Sequence, residues 1–336
     1  MIESDVMKFS IRLNNDLPVA EYLQLAQAAE TAGFDQFWVS HDLFIRSSMV
    51  ILTAVASVTE KMEIGTCILN PYTLNPSEIA MFAATLDEYS GGRFNLGISS
   101  GSHEFMKWVG ITQKKPRTDL VESIKAIQAI LSGERYEHEG QFINWTDEAY
   151  LRFESAGKIP VYIGAMSPKM LQSIGEIADG GLPLLFPPEH YASVLPQIET
   201  GAKRAGRDMS EVDVAACIWC SVAENAELAK DALREKVAYY GHALSPTIYD
   251  ALGVPQEDFR EIERLVMVEK DMEAAKKQVT DDMLKIGIVG NTDDLIARIE
   301  GLVDMGVKHL SFGPPLGPDR LEAIQQIGAK VIPYFR

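Results

Sequence analysis

The sequence predicts an α/β fold, a closed (β/α)8 TIM barrel with insertions, and three observations lead there. Eight short β-rich runs alternate with amphipathic helical stretches, and alternation implies parallel strands, because a parallel partner requires a crossover. No glycine-rich turn follows the first run, "IRLNNDLP", where an open doubly wound sheet would want one. Finally, 336 residues with 46% hydrophobic side chains suit one large barrel core.

The runs are, in order, "KFSIRL" (8–13), "QFWVS" (36–40), "EIGTCIL" (63–69), "RFNLGIS" (93–99), "IPVYIG" (159–164), "LPLLF" (182–186), "VDVAACIWCSV" (212–222) and "KHLSFG" (308–313). Between the first two, "PVAEYLQLAQAAETAG" starts with Pro18, repeats apolar residues at helical spacing and stops at Gly33. "PSEIAMFAATLDEYSGG" repeats the design from Pro76 to Gly91-Gly92, and "SPKMLQSIGEIADGG" and "NTDDLIARIEGLVDMG" follow it. Two stretches break the alternation. Residues 135–158 are aromatic and polar and suit a small hairpin over the barrel mouth; residues 241–287 are charged and mostly helical. Neither repeats nor low-complexity tracts occur, so residues 1–336 are expected to form a single domain.

The third run raises a question of its own. Gly65 interrupts "EIGTCIL" and Asn70-Pro71 ends it abruptly, as though the backbone needed room to bend where it leaves the core.

The net charge of −17, from 48 acidic and 31 basic residues, leaves no basic stripe for nucleic acid. The opening "MIESDVMKFSIRLNND" has neither a basic leader nor a long apolar stretch, and no run reaches the roughly 18 apolar residues of a membrane span. Three cysteines, Cys67, Cys217 and Cys220, do not make a disulfide framework and fit a reducing cytoplasm. "CIWC" has metal or redox spacing, but it lies within a strand pattern and has no second pair.

In a barrel of this kind reactive groups collect where strands end at the carboxyl face. Those ends supply Arg12; His41-Asp42, able to handle a proton; Cys67, Ile68 and Asn70; and "SSGSHE", whose small residues Ser99, Ser100, Gly101 and Ser102 admit a ligand to the backbone. In "GAMSPKM" a strand ends in Gly164-Ala165, Met166 follows, and a helix starts near Ser167-Pro168. That is either an ordinary Ser N-cap with Pro at N1 or a phosphate cradle on a helix dipole. The last strand delivers Gly313 and Pro314. His103-Glu104 is as easily surface as site. No metal or serine-hydrolase motif appears.

Together "TCILNPYTLNPSEIAMFAATLDEYSGGRFNLGI", "IPVYIGAMSPKMLQSIGEIADG" and "MGVKHLSFGPPLGPD" closely resemble the luciferase-like flavin/deazaflavin superfamily, and within it the methylenetetrahydromethanopterin reductase family, in matching order from about Lys8 onward. The resemblance implies a luciferase-like barrel that binds coenzyme F420, uses no metal, and moves a hydride between the deazaflavin C5 and a small organic substrate. It implies a non-proline cis peptide at Cys67–Ile68 backing the ring. It also implies a ring pocket of His41, Asp42, Cys67, Ile68, Asn70 and Ser99–Ser102, a phosphate-bearing tail near Gly164–Pro168, and a far side closed by Gly313 and Pro314.

Departures fall on substrate-facing places. Arg12 stands where the reductases carry glutamate, Ser102 where they carry an acid, Met166 where they carry glutamine, and His41-Asp42 reverses a common Asp-His order. Arg12 suits an anionic or carbonyl-bearing substrate. An FMN-dependent monooxygenase of the same superfamily and a flavin-binding barrel without catalysis remain alternatives. A homodimer or homotetramer is expected by analogy with the superfamily.

Overall fold

Parallel strands covered by helices outside and closed on themselves inside must be buried on both faces. The computed structural model, which describes residues 6–155, 158–244 and 246–336, shows such strands: β1 (Lys8–Leu13), β2 (Gln36–Val39), β3 (Glu63–Thr66), β4 (Phe94–Ile98), β5 (Val161–Ala165), β6 (Gly180–Pro183), β7 (Asp213–Val222) and β8 (His309–Leu316). They pair in parallel in the order β7–β8–β1–β2–β3–β4–β5–β6, and β6 returns to β7 through Gly180–Asp213 and Gly181–Val214. The sheet is closed, and the expected eight-stranded barrel forms. Residues 1–5, on which the reading of the opening stretch rests, and residues 156–157 and 245 within the two insertions lie outside the described residues.

The outer helices include α1 (Val19–Thr31), α2 (Ser48–Ala56), α3 (Pro76–Ser90), α4 (Pro116–Leu131), α5 (Pro168–Ile177), α6 (Tyr191–Ala205), α7 (Ala226–Tyr240), α8 (Thr292–Asp304) and α9 (Arg320–Gln326). The expected punctuation operates at α3: Asn75 caps it through the Ser77 amide, Pro76 opens it, and Gly91 closes it at φ 72°. Among the described residues no helix is long and apolar enough to cross a membrane.

Boundaries differ from the sequence pattern in instructive places. The third strand pairs as a ladder only to Thr66; beyond it Cys67–Ile68 is a non-proline cis peptide, and Leu69 makes one isolated bridge to Ile98. Gly65 serves packing rather than bending: a Cβ there would lie 2.3 Å from the Trp38 ring. The sixth strand starts at Gly180-Gly181, which read as a helix stop, because the Tyr162 ring occupies the place of a Gly180 side chain. The last strand runs on through the cis bond Pro314–Pro315 to Leu316.

The first insertion makes a hairpin, His138–Glu139 against Asn144–Trp145. Its tip returns towards the mouth: Glu122 of α4 accepts the Phe142 and Ile143 amides, and Phe142 packs edge-on to Tyr72 with centroids 5.1 Å apart. The second insertion is helical, with its own apolar cluster (Phe259, Ile262, Leu265) built around Leu233 and Val237 of α7. A short strand that the pattern missed, Ile288–Gly290, pairs with the end of β7.

A polar network closes the amino end of the barrel. Asp213 accepts from Tyr162 Oη at 2.9 Å and Lys8 Nζ at 3.2 Å and lies 3.0 Å from His309 Nδ1, while His309 Nε2 meets Ser10 Oγ at 2.8 Å. Beside it Glu63 accepts from Gln36 and Asn95, each at 2.8 Å. Burial opposes the Asp213 charge, but His309 and Lys8 outweigh it and hold the carboxyl well below its usual range.

Candidate active site

At the carboxyl end the barrel opens between two unlike walls. The first is small and apolar. Ile68, just after the cis bond, lies against Gly164 at the end of β5, where a Cβ would come within 3.0 Å of Ile68 Cγ2 and 3.4 Å of Ser99 Cβ. Ser99 Oγ donates to the Gly164 carbonyl at 2.7 Å and so ties the ends of β4 and β5 together. Ser40 Oγ lies 3.8 Å from Cys67 Sγ, and burial pushes the Cys67 thiol up to about 12, so it stays a thiol.

Asn70, expected in the ring pocket, also has a structural role. Its Oδ1 accepts from the Tyr72 and Thr73 amides at 3.2 and 3.0 Å and from Thr73 Oγ1 at 3.1 Å, so the side chain holds the turn after β3. Tyr72 then anchors that turn to α4, donating to Asp119 at 2.6 Å.

Proton-handling groups lie after β2. His41 Nδ1 is 2.9 Å from Ser48 Oγ and receives the Ser48 amide at 3.3 Å. An amide can only donate, so Nδ1 accepts and neutral His41 carries its proton on Nε2. Burial lowers the His41 pKa, which keeps this neutral form. Burial raises the Asp42 pKa, against the Lys236 charge, and the Asp42 backbone is clamped on both sides by Asn15.

The second wall is cationic. Arg12 is buried at the end of β1 and donates through Nη2 to the Ile218 carbonyl at 3.0 Å, while its buried Nε has no partner among the described residues. Lys236, near the end of α7 and within the field of Arg12, lies over the rings of Tyr240 and Trp219, at 4.7 and 5.3 Å from their centroids. Sequence reasoning found Arg12 and missed Lys236, Trp219 and Tyr240. The lysine sits in "LREKVAYYGH", an ordinary amphipathic helix, and only the fold carries its ammonium to the mouth.

The other expected residues are placed as follows. Gly101 takes the left-handed conformation at φ 72°, and the Ser100 carbonyl accepts from Gln113. Ser102 precedes the helix His103–Trp108 and is exposed, as are His103 and Glu104, so that pair is surface. Ala165 packs in the main core. Met166, Ser167 and Pro168 are exposed at the start of α5, where Ser167 occupies the N-cap but makes no side-chain cap bond, leaving its hydroxyl for another acceptor or donor. Gly313 lies beside the Arg12 guanidinium, and Pro314 is buried next to it. Cys217 faces the barrel interior and Cys220 the outer core; both are fully buried, so "CIWC" is packing. Among the described residues no group of three or more His, Cys, Asp or Glu could hold a metal.

The apolar wall fits a flat ring. Gly164 and Ser99 keep it low, Ile68 gives it a hydrocarbon face, and the Ser167 hydroxyl with the amino end of α5 offers an anion a place nearby.

Comparison with known proteins places the chain in a family. The luciferase-like monooxygenase family matches residues 7–309. The 5,10-methylenetetrahydromethanopterin reductase of Methanolobus tindarius is 35% identical over 327 residues, covering 97% of this chain and 100% of the relative. The solved structure of the coenzyme F420-dependent tetrahydromethanopterin reductase of Methanopyrus kandleri superposes with a TM-score of 0.93 at 31% identity, over 98% of this chain and 100% of that one. The F420-dependent glucose-6-phosphate dehydrogenase of Nakamurella multipartita is 30% identical, covering 94% of this chain and 93% of the relative.

Proposed function

The chain belongs to the luciferase-like monooxygenase family, and from that premise we propose that it is a coenzyme F420-dependent oxidoreductase acting on a small organic molecule. The observation that carries the reading is the close-packed Ile68, Ser99 and Gly164 at the same carboxyl end of the barrel as the neutral His41 and the buried Arg12. Full-length relatives named as F420-dependent, at 30 and 31% identity, support the cofactor.

When bound, F420 supplies a two-electron hydride carrier. The chain supplies position and a dry face. Ile68 and Gly164 would hold the ring flat, and Ser167 with the start of α5 would meet its phosphate-bearing tail. Hydride transfer depends more on alignment than on strong acid–base assistance, so a rigid wall contributes most. Neutral His41 can donate from Nε2 to an oxygen in the mouth, and Asp42, its pKa raised by burial, can exchange a proton there. Arg12 orients a polar group of the substrate.

Three free cysteines, two of them fully buried, are consistent with a cytoplasmic protein. Exposed Val50 on α2 and Met81 on α3 offer apolar surface for a homodimer or homotetramer.

Fluorescence titration tests the reading. F420 should be quenched on binding at micromolar protein or below, and FMN should bind far more weakly. Preferential binding of FMN would move the chain to the monooxygenases. Binding of F420 without turnover of pterins, aldehydes, alcohols or imines would leave a binding protein.

A further inference from the structure

The mouth holds two cations that form no ion pair among the described residues, although the charges of Asp42 and Asp16 reach Lys236. Arg12 enters no ion pair among the described residues; Nη2 meets a backbone carbonyl, and Nε meets nothing. Lys236 enters none either, and its ammonium rests on two aromatic rings. The two flank one residue. Trp219 follows Ile218, whose carbonyl holds Arg12, and Trp219 carries Lys236 on its ring face. Gly313, paired with Trp219 in the sheet, makes room for the guanidinium: a Cβ there would stand 2.4 Å from Nη2. A buried guanidinium and a half-buried ammonium that lack ion pairs carry a desolvation cost that a bound anion would offset.

We propose that Arg12 and Lys236 form an anion subsite that seats a carboxylate or phosphate group of the substrate, making this a reductase or dehydrogenase of small anionic molecules. The guanidinium fork matches either group bidentately, and the ammonium adds a point charge. The assignment to substrate rests on the F420 reading above, and the position of the subsite separates it from the cofactor tail. Arg12 lies on β1, whereas Ser167 follows β5, four strands further round a barrel of eight. An anion held between Arg12 and Lys236 would leave the rest of a small molecule at the mouth beside β2, the strand that His41 follows.

The charge environment of Lys236 agrees with this. Burial and then the field of Arg12 pull its pKa down to about 8, Asp16 and Asp42 raise it, and Arg320 lowers it; Trp219 and Tyr240 complete its surroundings. A bound anion would raise the pKa again, so anion affinity should fall as pH rises past about 8.

The test uses the whole chain, with and without F420, titrated with malonate, inorganic phosphate and neutral malonamide by calorimetry and thermal shift. We expect saturable binding of malonate or phosphate with a raised Tm and no effect of malonamide. The tighter of the two anions identifies the group the site prefers. Arg12→Met and Lys236→Met should each weaken that anion by about tenfold or more, the loss of one charged hydrogen bond. Arg12→Lys should restore part of the affinity, and the alkaline fall should vanish in Lys236→Met. F420 affinity, read by fluorescence in the same variants, should stay within about twofold of wild type, since only the substrate anion loses a charged hydrogen bond. Failure of either anion to bind saturably, or binding indifferent to both methionine variants, overturns the proposal. So does loss of F420 affinity with anion affinity intact, which would give the two cations to the cofactor. If wild type fails to bind F420 but binds the anion through Arg12 and Lys236, the subsite stands and the cofactor reading falls.

Discussion

Replacing Asp213 by Ala removes the acceptor on which Tyr162, Lys8 and His309 converge at the amino end of the barrel. His309 and Tyr162 are almost fully buried, so their polar atoms would lose a partner that water cannot easily replace. Breaking a buried, hydrogen-bonded charge pair in this way costs about 3–5 kcal/mol. With an unfolding entropy of roughly 2.1 cal/mol/K per residue, 336 residues give about 0.7 kcal/mol/K, so Tm should drop by about 4–7 °C. Asp213→Asn keeps the shape and removes the charge, which isolates the pH term. The native pKa of Asp213 is held well below the usual 3.8, so its contribution is fully present above that value and is lost as pH falls towards the folded one. Wild-type Tm should therefore decline more steeply below about pH 4 than Tm of Asp213→Asn. Calorimetry at pH 7 and between pH 3 and 5, with F420 affinity measured at 20 °C as a control, makes the test. A Tm within about 1 °C of wild type in Asp213→Ala, or identical acid limbs in wild type and Asp213→Asn, would refute the idea that this network holds the barrel closed.

Other substitutions separate the parts of the mouth. Gly164→Val adds methyl groups beyond a Cβ already 3.0 Å from Ile68 Cγ2, so F420 affinity should fall by about tenfold or more while Tm drops by only about 1–4 °C; an unchanged quenching constant would remove this wall from the cofactor site. His41→Ala should lower turnover by about 10- to 100-fold with F420 affinity retained, measured by stopped-flow at saturating cofactor. Wild-type turnover should also decline on the acid side below pH 6.5, because protonation turns Nδ1 from an acceptor into a donor facing the Ser48 amide, and the alanine variant should lack that decline. Tyr72→Phe deletes the bond to the buried Asp119 carboxylate and should cost about 1–3 kcal/mol in denaturant unfolding; no loss would mean that the turn after β3 is held by Asn70 alone.

The barrel was legible because its strands are apolar runs of parallel-sheet length set between helices with visible starts and stops. Where the pattern misled, a distant side chain had displaced a local rule. Gly180-Gly181 reads as a helix stop until the Tyr162 ring is seen to occupy the space of a side chain, which turns the pair into strand. Gly65 reads as a hinge until Trp38 fills its place. Asn70 carries no local sign that its oxygen is already engaged by Tyr72 and Thr73. Lys236 could not be found at all. More than two hundred positions separate it from Arg12, and only the closure of β7 and β8 onto β1 brings their charges together.

The two ends of the barrel handle charge in opposite ways, and that contrast is itself an argument about function. At the amino end the carboxylates of the described network have partners: Asp213 has Lys8 and His309, and Glu63 has two amide donors. Groups satisfied in that way hold a fold together and have no valence left for a ligand. At the carboxyl end Arg12 and Lys236 form no ion pair among the described residues, His41 directs its only proton away from its partner, and the Asp42 carboxyl makes no hydrogen bond there although it feels the Lys236 charge. Such groups destabilise the empty site and become favourable only when something enters it. Substitutions at the two ends should therefore diverge in sign. Asp213→Ala should lower Tm and leave ligand affinity alone, whereas Lys236→Met should raise or preserve Tm while weakening the anion. A Lys236→Met chain that melted several degrees below wild type would show that its ammonium is part of the scaffold after all.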